Sequence, residues 1–486
     1  MRNNFAEKAK KILPYITIII ACSCVFFAPI EDADEIWNYS FARNISNGLL
    51  PYKDFNIIQT PLSAFIASIF ISVFGDYLFV FRIAGFVLIF LIFSVYFNLV
   101  NRLCKSFAIA LFTTVMCVLL IPKIYNYNHL LLLFVLFILW IELYLFQNKS
   151  TLSQRELSKL DVFIIFEAII AGSAPLIKQT TGCFLLVAFW IVVLFNYQKQ
   201  RISFFVLLLQ IFLSVLPMLG FLVYLLSTDS FVCFMDYAFF GINNFTHRYS
   251  FIQFIISSVG NFLIGLIVCF VLVFSLYRLF RKLGNREVYF KFLILFIAFS
   301  TIAYPLCDQQ HFYLVFILVL PLLFYSINYR KVTKTLEIVL IPVSIALAII
   351  SVLNNECIWV SDYKLSSLKH YNCIPITADI EESIYSIDDY IIKKVQKNEK
   401  VIIADVAASA IKIPIDCYDK DFDMLLVGNV GTKTVQQLAY NLSGSLVMVT
   451  NDIEGLGMQD HYPLIEYIKE KGVYCESIEG FEVYKM

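Results

Sequence analysis

Residues 13–35 read LPYITIIIACSCVFFAPIEDADE: eighteen residues without a charge, then four carboxylates within five positions. A helix rises 1.5 Å per residue, so the apolar run nearly crosses a hydrocarbon core about 30 Å thick. A basic start (Arg2, Lys8, Lys10, Lys11) precedes it, as in a signal peptide. Its exit carries acids rather than a small-residue cleavage pattern, so the segment reads as a retained membrane helix. The rest of the chain agrees. Of 486 residues 60% are hydrophobic and 15% charged, and mean hydropathy is +0.77, which excludes a water-soluble fold. Basic and acidic residues balance at 37 each, so no global positive field points to nucleic acid. The twelve cysteines are scattered without paired metal-site spacing and read mostly as small core residues.

Ten further apolar runs lie near 78–100, 106–122, 129–147, 161–176, 182–196, 203–227, 252–277, 290–306, 311–328 and 335–353. The expected fold is therefore an α-helical polytopic membrane protein with about eleven spans over residues 1–353. Pro61–Gly75 is apolar but short, and with Pro61 at its start it reads as a helix lying in the interface. Counting Lys and Arg in alternate connections gives nineteen on the side of the N-terminus and six on the other. Cytoplasmic loops collect positive charge, so the N-terminus is expected in the cytoplasm. The acids Glu31, Asp32, Asp34, Glu35, Asp54, Asp76, Asp229, Asp236 and Asp308 then fall outside, and the chemistry is sought on that face.

From Asn354 the composition changes: 21 acidic and 12 basic residues stand in the last 133, with apolar runs too brief to span. Residues 354–486 are expected to form a small extracytoplasmic α/β domain. Strands are expected at Val401–Asp405, Met424–Val427 and Ser445–Thr450, and helices at Asp379–Lys397, Thr432–Leu442 and Pro463–Lys471. Their alternation predicts a mostly parallel sheet. Neither GxGxxG nor a P-loop occurs, so no nucleotide site is assigned. Cys357, Cys373, Cys417 and Cys475 lie here with no deducible pairing.

The four clustered carboxylates repel one another, so they are expected to shift in pKa or to be neutralised by a cation or partner. Such a group suits a general base, which must reach the attacking hydroxyl opposite a departing phosphate. A solvated acidic loop obeying the charge bias is the plainer reading. In order, the outer loop holds Asp34-Glu35, Ala42-Arg43, Gly48, Pro51-Tyr52, Asp54-Phe55, Pro61-Leu62, Phe74-Gly75 and Arg82. This succession resembles the first outer loop (here 31–77) of the GT-C glycosyltransferases, in the family 39 branch of protein mannosyltransferases and aminoarabinose transferases. Gly172-Ser-Ala-Pro-Leu-Ile-Lys178 with Gly182, and Gln310-His-Phe-Tyr313 with Pro321, are similar to later motifs of that family. Where it often shows a second Pro or a charged residue, this chain has Gln59-Thr60, so a role for that side chain, metal binding included, does not carry over.

The resemblance implies transfer, with inversion, of a sugar from a polyprenyl-phosphate donor to a hydroxyl of a glycan, lipid or protein acceptor at the outer face. Asp34 is the implied base, with Glu35 as a second catalytic candidate or a charge complementing a helix dipole. Asp54 is a candidate for orienting the acceptor or the base, or for closing its own turn. Lys178, Arg82 and Arg248 are candidate cations for the leaving phosphate, or snorkelling residues. His311 and Tyr313 are expected to hydrogen-bond phosphate or sugar, or to anchor the interface. Glu167 is an ionisable group within a span and so a functional candidate without a named partner. No metal ligand is assigned, while a divalent cation stays open. Two other classes remain: a transporter or flippase for a lipid-linked saccharide, and a non-catalytic subunit of envelope polysaccharide assembly. Abundant Ile, Lys, Asn and Tyr suggest an AT-rich bacterial genome.

Overall fold

The computed structural model describes residues 2–30, 33–148, 154–241, 251–283, 285–304, 307–327, 334–354, 356–404, 409–416, 419, 422, 431–450 and 462–486. The helices in chain order are α1 (Arg2–Cys22, extended by a 3-10 turn to Phe27), α2 (Ala33–Ser46), α3 (Leu62–Phe74), α4 (Leu78–Cys104), α5 (Phe107–Leu120), α6 (Tyr127–Asn148), α7 (Gln154–Ser173) and α8 (Gln179–Gln198). They continue with α9 (Phe204–Ser227), α10 (Phe231–Met235), α11 (Phe251–Ile256), α12 (Val259–Phe280), α13 (Arg286–Ser300), α14 (Gln309–Ile327), α15 (Lys334–Leu353) and the single turn α16 (Glu356–Trp359). Every one of the eleven apolar runs contains a helix. Among the described residues, five helices are long and apolar enough to cross a bilayer: Lys10–Phe27, α4, α8, α9 and α12. The run at 252–277 is not continuous. It breaks at Ser257, and Ser258 caps the start of α12 by accepting from the Asn261 N–H at 3.1 Å.

The chain forms two compact units. The first gathers residues 1–25, 85–221 and 247–355 into a helical bundle in which α5 packs on α15, α8 on α13 and α1 on α15. Glycines allow two close approaches in it: a Cβ at Gly172 would lie 1.9 Å from the Ser214 carbonyl oxygen, and one at Gly182 would lie 2.2 Å from that of Ala174. Inside the bundle, Glu142 of α6 accepts from Asn196 of α8 at 2.9 and 3.2 Å and pairs with Lys291 of α13, all three side chains being buried. These polar ties fix helix order where van der Waals packing alone would not. The Leu, Phe and Val side chains on the outer faces of α9 and α12 are left for lipid.

The second unit gathers residues 26–84, 222–246 and 356–486. α2 and α3 pack together in it, and α3 starts after Pro61 as expected. Its inward positions are mostly small (Ser63, Ala64, Ala67, Ser68, with Ile71), while Ile69, Val73 and Phe74 face outward. In the C-terminal part a short antiparallel pair, β1 (Tyr363–Leu365) and β2 (Pro375–Thr377), precedes α17 (Ala378–Val395), β3 (Lys400–Ile403), α18 (Ser409–Lys412), α19 (Val435–Asn441), β4 (Ser445–Thr450), α20 (Tyr462–Lys471), β5 (Val473–Ile478) and β6 (Phe481–Lys485). Ile387, Tyr390 and Ile391 of α17 cover Val401, Ile403, Leu446, Met448, Phe481 and Val483 of the sheet.

The sheet order is β3-β4-β6-β5, and only β3–β4 is parallel among the described residues. This corrects the expectation of a mostly parallel sheet. The last two strands are joined by Glu479-Gly480, both at positive φ (45° and 80°), a two-residue hairpin turn that forces them antiparallel. The run Met424–Val427 lies outside the described residues, as do Cys417 and most of the segment around it.

Candidate functional site

α2 begins with Asp34 and Glu35 in its first turn, at the positive end of the helix dipole. The helical step of about 100° between neighbours sends their side chains different ways. Glu35 is buried and gripped by Arg82 of α4, Nε to Oε1 at 2.9 Å and Nη2 to Oε2 at 2.8 Å. The same guanidinium donates to the carbonyls of Ala28 and, at 3.1 Å, Pro29. A bidentate, fully desolvated pair with its spare donors satisfied is a brace that tolerates little movement. Asp34 is half-buried, and its backbone carbonyl accepts from Asn38 Nδ2 at 2.7 Å.

Glu35, Tyr39 and Arg43 recur at intervals of four along one face of α2, and all three are tied. The Tyr39 hydroxyl donates to Asp76 Oδ1 at 2.9 Å, and Arg43 Nε donates to Asp76 Oδ2 at 2.8 Å. Arg43 Nη2 also meets Asp416 Oδ1 and lies 3.2 Å from His370 Nε2. Burial opposes the charge on Arg43, but Asp76 and Asp416 outweigh it and raise its pKa. Asp416 is likewise held below its ordinary value, against burial, by Lys369 at 2.8 Å and by Arg43. Burial and the neighbouring Asp76 push the Tyr39 hydroxyl upward, so it stays a donor.

The loop between α2 and α3 is held partly by its own hydrogen bonds. Gly48 and Tyr52 adopt positive φ (85° and 70°), and Asp54 Oδ2 accepts from the Leu50 N–H at 2.7 Å while its own N–H donates to the Leu50 carbonyl at 2.9 Å. Asp54 thus closes its own turn. The buried Tyr52 hydroxyl donates to the Gln59 carbonyl at 2.8 Å, and its ring meets Phe234 edge-on.

Lys178, His311 and Tyr313 belong to the first unit. Lys178, just before α8, donates to the Ile302 carbonyl at 3.1 Å and sits 5.7 Å from the centre of the Tyr127 ring. His311 Nδ1 lies 2.7 Å from Asp308 Oδ1, and its Nε2 lies 3.1 Å from Asn128 Nδ2. Burial raises Asp308, and the hydrogen bond and charge of His311, with Lys178, outweigh it and hold the carboxyl below its ordinary value. Lys178 and His311 therefore share one polar patch with Asp308 and Asn128. The Tyr313 hydroxyl, one turn along α14, accepts from Gln309 at 3.0 Å. Glu167 is fully buried near Glu142, and neither of its carboxylate oxygens meets a hydrogen-bond donor among the described residues. Arg248 lies outside the described residues, as do Glu31 and Asp32.

Sequence reasoning did not find His370 or Asp416 and left Asp76 and Asp308 as members of an acidic count. Only an i, i+4, i+8 polar face on α2 was there to be read as a clue. Among the described residues no three His, Cys, Asp or Glu side chains converge as metal ligands.

No family model and no curated protein matches the chain by sequence. Solved structures do match it. The crystal structure of ArnT from Cupriavidus metallidurans in the apo state superposes with a TM-score of 0.62 at 10% identity, covering 99% of this chain and 98% of that one. The same enzyme bound to undecaprenyl phosphate gives 0.58 at 11%, covering 96% of each chain. The chain shares the fold of these ArnT structures. An Archaeoglobus fulgidus oligosaccharyltransferase in complex with Zn and sulfate superposes with a TM-score of 0.52 at 12% identity, over 97% of this chain and 73% of that one. The likeness to the ArnT structures covers 96–99% of the chain and so includes the C-terminal α/β part.

Proposed function

We propose that the chain is a membrane glycosyltransferase that moves a sugar from a polyprenyl-phosphate donor to an acceptor hydroxyl on the outer face. The observation that carries this reading is the end-to-end GT-C fold, shared at 96% coverage of both chains with an ArnT structure bound to undecaprenyl phosphate. In this reading the N-terminus is cytoplasmic and residues 354–486 are extracytoplasmic. Asp34 is the base: it takes the proton of the attacking hydroxyl as that oxygen bonds the anomeric carbon from the face opposite the phosphate. The bond from the anomeric carbon to the phosphate oxygen breaks, its electron pair leaves with the polyprenyl phosphate, and the configuration inverts.

The departing phosphate gains negative charge, which a preorganised cation in a water-poor place stabilises. Lys178 is that cation, with His311 beside it, and Arg248 is a further candidate. Tyr313 is assigned to the sugar. Glu35, Arg82 and Asp54 support the site by holding the backbone that carries Asp34, since each spends hydrogen bonds within its own loop or on its neighbour. No step here runs through a metal.

The test uses purified protein with a panel of undecaprenyl-phosphate-linked hexoses and pentoses, reading released undecaprenyl phosphate. The wild type is expected to consume at least one donor, and Asp34→Asn to lose on the order of a thousandfold or more in rate at unchanged expression. Equal turnover by Asp34→Asn would remove the base from the reading.

A further inference from the structure

The C-terminal part reaches α2 through one residue above all. His370 is buried, with 5% of its side chain exposed, and makes contacts in three directions. Its Nδ1 lies 2.9 Å from the Asp76 carbonyl oxygen, its Nε2 lies 3.2 Å from Arg43 Nη2, and its own carbonyl accepts from the Leu78 N–H at 2.9 Å. A proton on Nδ1 serves the Asp76 carbonyl, and Nε2 stands between Arg43 Nη2 and Asp416 Oδ1, the latter 3.3 Å away. His370 thereby clamps the turn between α3 and α4 on both sides and, through Arg43, the far end of α2. Asp416 adds a second grip on the same guanidinium, and α18 packs against α2 nearby.

We infer that His370 and Asp416 are positioning residues for the proposed base, holding α2 at the rotation that presents Asp34. The inference rests on the reading of Asp34 given above. α2 is short, and Arg43 lies nine residues, or about 13 Å, from Asp34 along one rigid helix. The Glu35–Arg82 pair pins the first turn of the helix as a single pivot. A second point of attachment is needed to fix its azimuth. Tyr39 and Arg43 supply it by binding Asp76, whose own position His370 sets. Releasing the second point lets α2 roll about the first, and a displacement of about 1 Å at a reacting group costs on the order of a hundredfold in rate. The C-terminal part thus acts as a support of the catalytic loop.

The experiment compares full-length wild type, His370→Ala, His370→Gln, Asp416→Asn and Asp34→Asn in detergent. Hydrogen exchange is followed over peptides covering α2 and α20, with kcat and KM for the donor found above. His370→Ala and Asp416→Asn are expected to speed exchange in α2 by about tenfold or more while α20 is unchanged. Their kcat falls by about tenfold to a hundredfold with KM held within about threefold. His370→Gln, whose amide both donates and accepts, is expected to restore both readouts. Unchanged α2 exchange in His370→Ala and Asp416→Asn overturns the inference, as does full kcat in both while Asp34→Asn is dead. Full turnover in Asp34→Asn instead overturns the reading of the base, and that result is separable because it does not depend on α2 exchange.

Discussion

Arg82 and Glu35 illustrate how a charge acquires its meaning from its partner. Both are visible in the sequence as charges flanking the first outer loop, but their pairing across 47 positions is written in no local pattern. Removing one member strands the other without water, so Arg82→Met is expected to cost about 3–5 kcal/mol, seen as a large fall in Tm in detergent. Adding Glu35→Met to Arg82→Met should recover most of that loss, because two apolar side chains then replace the pair. Glu381 is a second case. Burial would raise its carboxyl, but bonds from Lys364, the Ser367 N–H and the hydroxyls of Ser367 and Ser366 outweigh it and bring the pKa from 4.5 to about 2. A depressed carboxylate contributes stability in full above its unfolded pKa and loses it as the pH falls through the folded one. The C-terminal part is thus expected to weaken between about pH 4.5 and 2, and Glu381→Gln to flatten that slope in acid melts followed by circular dichroism.

At the level of elements, run length and hydropathy are enough to place the spans, because a helix in lipid must satisfy its backbone internally and present apolar side chains throughout. The break at Ser257 and the β5–β6 hairpin escape such a reading. Each is decided by one or two residues: a serine cap in the first, and Glu479-Gly480 at positive φ in the second. The glycine-rich stretch 172–182 is legible in the sequence through its resemblance to a family, whereas its physical role is contact. Gly182→Ala would push a methyl group into the Ala174 carbonyl and is expected to lower stability by about 1–3 kcal/mol, measured as a drop in Tm.

For the whole molecule, hydropathy makes the polytopic class legible, and the loop motif points to the fold shared with the ArnT structures. What they left out is how the polar groups of the outer segments are shared with the C-terminal region. Those bonds join residues hundreds of positions apart, as Arg43 joins His370 and as Thr432 joins Asp236 at 2.8 Å. Composition sets residues 354–486 apart, and polar bonds join this stretch to residues of 26–84 and 222–246 within one compact unit.

The central claim is that the acids after the first span meet a lipid-borne donor from outside the cell. Lys53 is exposed in that loop and offers a direct probe. Intact cells expressing Lys53→Cys, in a background with Cys233, Cys357, Cys373, Cys417 and Cys475 replaced by Ser, are treated with a membrane-impermeant maleimide. The account predicts prompt labelling of intact cells, absent from the parent that keeps Lys53 in the same background. Labelling that appears only after the cells are broken would place the loop in the cytosol and contradict it.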